Sequence, residues 1–129
     1  MSNNLWLNQY CKELIIVAGM PRSGKSLLAP LVSSMDKAEV FHMDFLLEVF
    51  PALKDLNMIS SEGLEYLLQY SVHTMSYNRA IGRNMNIKPS DETSIWKSKN
   101  PQEYFERLFL DDGDDFAKSA YKFPLILNF

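Results

Sequence analysis

Cysteine is nearly absent from this 129-residue chain: Cys11 stands alone, so no disulfide can form within it. A lone thiol fits a reducing compartment, and the expectation is a cytoplasmic protein with Cys11 buried and inert. Histidine is as scarce. His42 and His73 have no second His or Cys at metal-ligand spacing, so no zinc site is expected. No apolar run approaches the ~18–20 residues of a membrane span. Residues 1–4, Met-Ser-Asn-Asn, lack the basic start and apolar core of a signal peptide. There is also no block of Lys or Arg: 13 basic side chains face 16 acidic ones, for a net charge of −3. Binding to a phosphate backbone needs a basic face, which argues against nucleic acid as the main partner. Repeats, low-complexity tracts and Pro/Gly/Ser linkers are missing too, which leaves one domain over residues 1–129.

What is present is a 47% hydrophobic share, ample for a packed core. Leu14 to Ala18 reads as a strand buried on both faces, and Lys25 to about Ser34 as a helix that Pro30 bends. Residues 39–43 read as a second strand, followed by a short helical turn over 45–50 that Pro51 closes. Ser60 or Ser61 caps a long helix with Glu62 in its first turn. Leu64, Leu67, Leu68, Ser71, Val72, Met75 and Ile81 recur at helical spacing, and Gly82 is the stop. Residues 83–98 read as a long loop of the kind that forms lids. Asn100-Pro101-Gln102-Glu103 is a helix start, with Asn as cap. An acidic turn over 111–115, a short helix over 116–121 and a buried terminal strand over 123–129 complete the reading.

The most specific feature is Gly-Met-Pro-Arg-Ser-Gly-Lys-Ser at residues 19–26, a full G-x-x-x-x-G-K-[ST] phosphate-binding signature between a strand and a helix. Such a loop turns backbone N–H groups inward, and the following helix adds unpaired donors and the positive end of its dipole. Gly19, Met20, Pro21, Arg22, Ser23, Gly24, Lys25, Ser26 and Leu27 are therefore the candidate ligand-binding residues. Gly19 and Gly24 leave room for a phosphate, Lys25 reaches the outer phosphates, and Arg22 adds a planar charged fork. Ser26 is the candidate Mg²⁺ ligand.

Asp44, at the end of the second expected strand, is the candidate base or Mg²⁺ partner; the alternative is a cap for the next helix. His42 lies two residues earlier and would point the same way, as a base or a core histidine. Arg79 and Arg83, four apart, can share a helix face toward a phosphate or sulfate of a second substrate, or simply end a helix with positive charge. Lys97 and Lys99 beside Trp96 are weaker candidates for covering a nucleotide. No carboxylate ends the terminal strand, so the acidic partner of the motif is not located.

The stretch over 17–28 resembles the phosphate-binding loops of small-metabolite and nucleotide kinases, in which an Asp placed like Asp44 often contacts the acceptor. That resemblance implies a three-layer α/β P-loop (Walker A) fold with a parallel sheet. It also implies ATP or GTP with Mg²⁺, and phosphoryl transfer to a small hydroxyl-bearing metabolite, with Lys25 and Asp44 as catalytic residues. Pro21-Arg22-Ser23-Gly24 and Ser26-Leu27-Leu28 also resemble the sulfotransferases, which implies metal-free 3′-phosphoadenosine 5′-phosphosulfate (PAPS), although Lys25 replaces their usual Thr. A third alternative is a nucleotide-binding module without turnover. Because 129 residues leave little room for a five-stranded sheet, the expectation is the front part of a longer protein, or self-association through the terminal strand.

Overall fold

The computed structural model describes residues 13–35 and 38–109 and the backbone of 125–128. The chain runs β1 (Leu14–Val17), α1 (Lys25–Ser33), α2 (Leu46–Asp55), α3 (Ser61–Ala80), a single 3₁₀ turn (Ile95–Lys97), α4 (Pro101–Arg107) and β2 (Leu125–Asn128). Cys11, the acidic run 111–115 and the helix expected over 116–121 lie outside the described residues.

This overturns the three-layer α/β expectation. The described residues are mostly helical, and their only sheet is one parallel pair of four-residue strands, β1 against β2, in which Leu14 faces Leu125. The segment over 39–43 is not a strand; His42 alone shows isolated strand-type pairing. Its backbone is held by side chains instead. The Val40 N–H donates to the Tyr104 hydroxyl at 3.0 Å and the Phe41 N–H to Ser33 Oγ at 3.0 Å. The Val40 carbonyl accepts from Arg79 Nη2 at 3.3 Å. A buried backbone needs partners, and helices supply them here where a sheet was expected. Nor is β1 buried on both faces: Leu14, Ile15 and Ile16 are exposed, and only Val17 is buried, against Ala29 and Phe41.

The helices follow their sequence signals more closely. α1 spans Lys25–Ser33 with Pro30 inside it, and α3 opens on Ser60, whose Oγ accepts from the Gly63 N–H at 3.0 Å. Past α3, Gly82 has φ +77°, and a Cβ there would lie 2.6 Å from the Arg107 carbonyl oxygen. Gly82 is therefore both the helix stop and the seat of α4. Pro51, expected to end a short turn, instead lies inside α2, which continues to Asp55. Leu47 and Phe50 pack on Leu68, Val72 and Met75 of α3, and that burial outweighs the lost Pro51 hydrogen bond. Asn100 takes the N-cap position of α4 without a side-chain capping bond.

Candidate functional site

β1 and α1 are fixed to each other through Val17 and Ala29, and the loop between them carries the signature. A turn closes it, with the Ser23 N–H donating to the Met20 carbonyl at 3.1 Å. Arg22 has φ +65° and Gly24 φ +87°, so left-handed residues flank Ser23. Alternating backbone hand turns successive N–H groups toward one side and makes a concavity suited to an anion. At Gly19 a Cβ would come within 2.7 Å of Ser23 Oγ, so a side chain there would crowd the turn.

Gly24 is the N-cap of α1, and no side chain caps it. Its carbonyl accepts from the Leu27 and Leu28 N–H groups at 3.0 and 3.1 Å. The Lys25 and Ser26 amides occupy the first turn, where a helix offers no acceptor of its own. There is no acidic residue in that turn to neutralise the dipole. Lys25 is half-buried, whereas Arg22, Ser23 and Ser26 are exposed, as are Gly19, Pro21 and Leu27. Two cations, two hydroxyls and an open helix start therefore share one short loop.

Asp44 does not stand at a strand end. It is half-buried, with Oδ1 accepting from the Leu46 N–H at 2.9 Å, so one carboxylate oxygen opens α2.

His42 and Arg79 are brought together. Arg79 Nε and Nη2 both approach His42 Nε2, at 3.0 and 2.7 Å. A guanidinium only donates, so Nε2 is the acceptor and the neutral ring carries its proton on Nδ1. Burial first, and the Arg79 charge second, lower the His42 pKa from 6.5 to about 3. His42 is thus a neutral hydrogen-bond acceptor across the physiological range. Arg79, only 3% exposed, lies 5.7 Å from the Tyr104 ring centroid. Burial pulls its pKa down, and its Nη1 has no hydrogen-bond partner among the described residues. Arg83 does not join it: that side chain is exposed, beyond the end of α3. Lys97 and Lys99 are exposed as well, and Trp96 Nε1 donates to the Ile87 carbonyl at 3.0 Å while its ring packs on Phe105.

Four further residues, Glu39, Glu103, Tyr104 and Arg107, complete this network and were not singled out as site candidates by sequence. Arg107 bonds Glu39 at 2.9 Å and Glu103 at 3.0 Å, and its guanidinium lies 4.6 Å from the Tyr104 ring centroid. The Tyr104 hydroxyl donates to Glu39 Oε2 at 2.7 Å. Burial opposes the Arg107 charge, but Glu39 and Glu103 outweigh it and raise the pKa. Burial, reinforced by Glu39, pushes the Tyr104 hydroxyl well above its usual range. The available signal was Glu39 itself, a carboxylate heading the apolar stretch Val40-Phe41.

Among the described residues, no helix is long and apolar enough to cross a membrane. Comparison with protein-family models, with curated proteins and with solved structures finds no match for the chain.

Proposed function

We propose that the loop over 19–26 binds the phosphates of ATP or GTP, and that the protein passes a phosphoryl group to a hydroxyl-bearing small molecule. The observation that carries this reading is the pair of left-handed residues, Arg22 and Gly24, opening onto the uncapped start of α1 beside Lys25 and Ser26. The reading rests on the loop and its chemistry, independently of any larger fold. The loop amides and Lys25 hold the phosphate oxygens and neutralise charge that builds on them. Arg22 adds a second cation from the exposed side. Ser26 offers a hydroxyl that would hold Mg²⁺, and the ion would supply positive charge to polarise the phosphates. The carboxylate of Asp44, anchored through Oδ1 to Leu46, takes the acceptor proton on its other oxygen.

The rival ligand is PAPS, favoured by the position of Arg22 at the apex of the loop. Thermal-shift titration separates the two: ATP with Mg²⁺ is expected to stabilise the protein, and Lys25→Ala to weaken that binding at least tenfold. Stabilisation by 3′,5′-adenosine bisphosphate without Mg²⁺, and none by ATP, would replace phosphoryl transfer by sulfuryl transfer. Unchanged affinity in Lys25→Ala would remove the loop from the site altogether.

A further inference from the structure

The described elements pack in groups. β1 lies against β2 and α1, α2 against α3, and α4 against the 3₁₀ turn. The last two groups are joined to each other, because Arg107 Nη1 donates to the Arg79 carbonyl at 3.3 Å. Residues 39–42 run between all three. Glu39 pairs with Arg107 of α4, and Val40 packs on Ile95 and Tyr104. His42 accepts from Arg79 of α3. Phe41 goes to the remaining group: its ring packs on Val17 of β1 and Ala29 of α1, and its N–H donates to Ser33 Oγ at 3.0 Å.

That contact lies at the base of the loop over 19–26. Val17 stands two residues before Gly19, and Ala29 four residues after Lys25, so Phe41 touches both elements that the loop connects. Ser33 closes the helix whose start forms the loop's other end, and it is 2% exposed. Asp44 follows Phe41 by three residues, a span of at most about 11 Å. Its Oδ1 is held in turn by the Leu46 N–H. The carboxylate thus rides on a short tether between Phe41 and the start of α2.

We propose that Phe41 and Ser33 are positioning residues, which hold the segment carrying Asp44 against the base of the phosphate loop so that a phosphate in the loop is felt at the Asp44 carboxylate. This rests on the phosphate-binding reading given above and deepens it, by naming the residues that bring base and phosphate to one site. Neither side chain touches the ligand. Ser33 acts by accepting a buried N–H; without that acceptor the Phe41 backbone is left unsatisfied and the stretch over 41–44 shifts to find another partner.

The readout is the Asp44 carboxyl carbon signal in ¹³C-labelled protein, assigned by its absence in Asp44→Asn. Pyrophosphate is the probe, because it brings dense negative charge to the loop without a metal. In the wild type, saturation with pyrophosphate should move that signal. Ser33→Ala should bind pyrophosphate within about twofold of the wild type, by isothermal titration, yet lose most of the movement. Ser33→Thr, which keeps the hydroxyl, should restore it. A residue with only a structural role would change the melting temperature and leave the response of Asp44 in place. Pyrophosphate that binds without moving the Asp44 signal overturns the positioning and leaves phosphate binding standing. A movement of wild-type size in Ser33→Ala overturns it as well, as does a Ser33→Ala protein that folds but no longer binds pyrophosphate. No binding to the wild type removes the phosphate reading itself, and the positioning falls with it. If Ser33→Ala does not fold, Phe41→Leu takes its place: it stays apolar against Val17 and Ala29 but is shorter, and it should lose the movement in the same way.

Discussion

Arg22 is held at φ +65°, a conformation that costs a side-chain-bearing residue about 1–2 kcal/mol. The loop thus keeps a strained residue beside its open helix end, at the point where the signature was most legible in the sequence. His42 shows the opposite relation between sequence and role. Its spacing from Asp44 left open a base or a core histidine, and its ring is spent on Arg79. The consequence is a pH dependence of stability with a definite sign. Above about 6.5 both folded and unfolded His42 are neutral, and its contribution is complete. Between 6.5 and the folded value of about 3, the unfolded chain takes up a proton that the folded chain refuses, so stability falls as pH falls. The slope from this one group approaches ~1.4 kcal/mol per pH unit. Gln at position 42 can still accept from Arg79 without titrating, so urea midpoints of His42→Gln should decline less between pH 6.5 and 4. A variant with the wild-type slope would show that other groups carry the acid sensitivity.

At the scale of elements, the long helix α3 was readable almost to the residue, because an N-cap, an apolar stripe and a glycine stop all agree. Gly82 does more than stop it. With φ +77° and the Arg107 carbonyl oxygen 2.6 Å from where a Cβ would sit, Gly82→Ala combines backbone strain with a clash against the end of α4. The expected loss is about 2–4 kcal/mol, seen as a lower thermal midpoint; a loss under ~1 kcal/mol would mean α4 shifts freely. Residues 39–43 were misread because Val40, Phe41 and Met43 carry strand character locally. What decides their state is the set of donors and acceptors on distant helices, namely Ser33, Arg79 and Tyr104, and no local pattern reports those. Pro51 was misread for the same reason: the packing of α2 on α3 overrides a local breaker.

Across the whole molecule, one buried polar network ties residues 39–42 to α3 and α4. Glu39 and Arg107 form its ion pair, with side-chain exposures of 9% and 5%, and Tyr104 links that pair to the Val40 backbone. Tyr104→Phe keeps the ring under Arg107 but strands the Val40 N–H and one oxygen of Glu39. That should lower stability by about 2–4 kcal/mol in urea titration, against under ~1 kcal/mol if water replaces the hydroxyl. The turn over 20–23 and the start of α1 were legible because their pattern is local. The largely helical architecture was not, since it rests on pairings between elements remote in sequence.

The pairing of β1 with β2 joins Leu14 to Leu125, nearly the whole chain apart. Closing a loop of that size costs about 4 kcal/mol in chain entropy, and contacts so distant in sequence form late in folding. β1 is also the anchor of the loop over 19–26, so its pairing with β2 ties one side of that loop to a remote stretch of chain. If the loop takes a phosphate as proposed, a ligand that favours the paired form would act as a clasp, drawing two remote stretches of chain together by mass action.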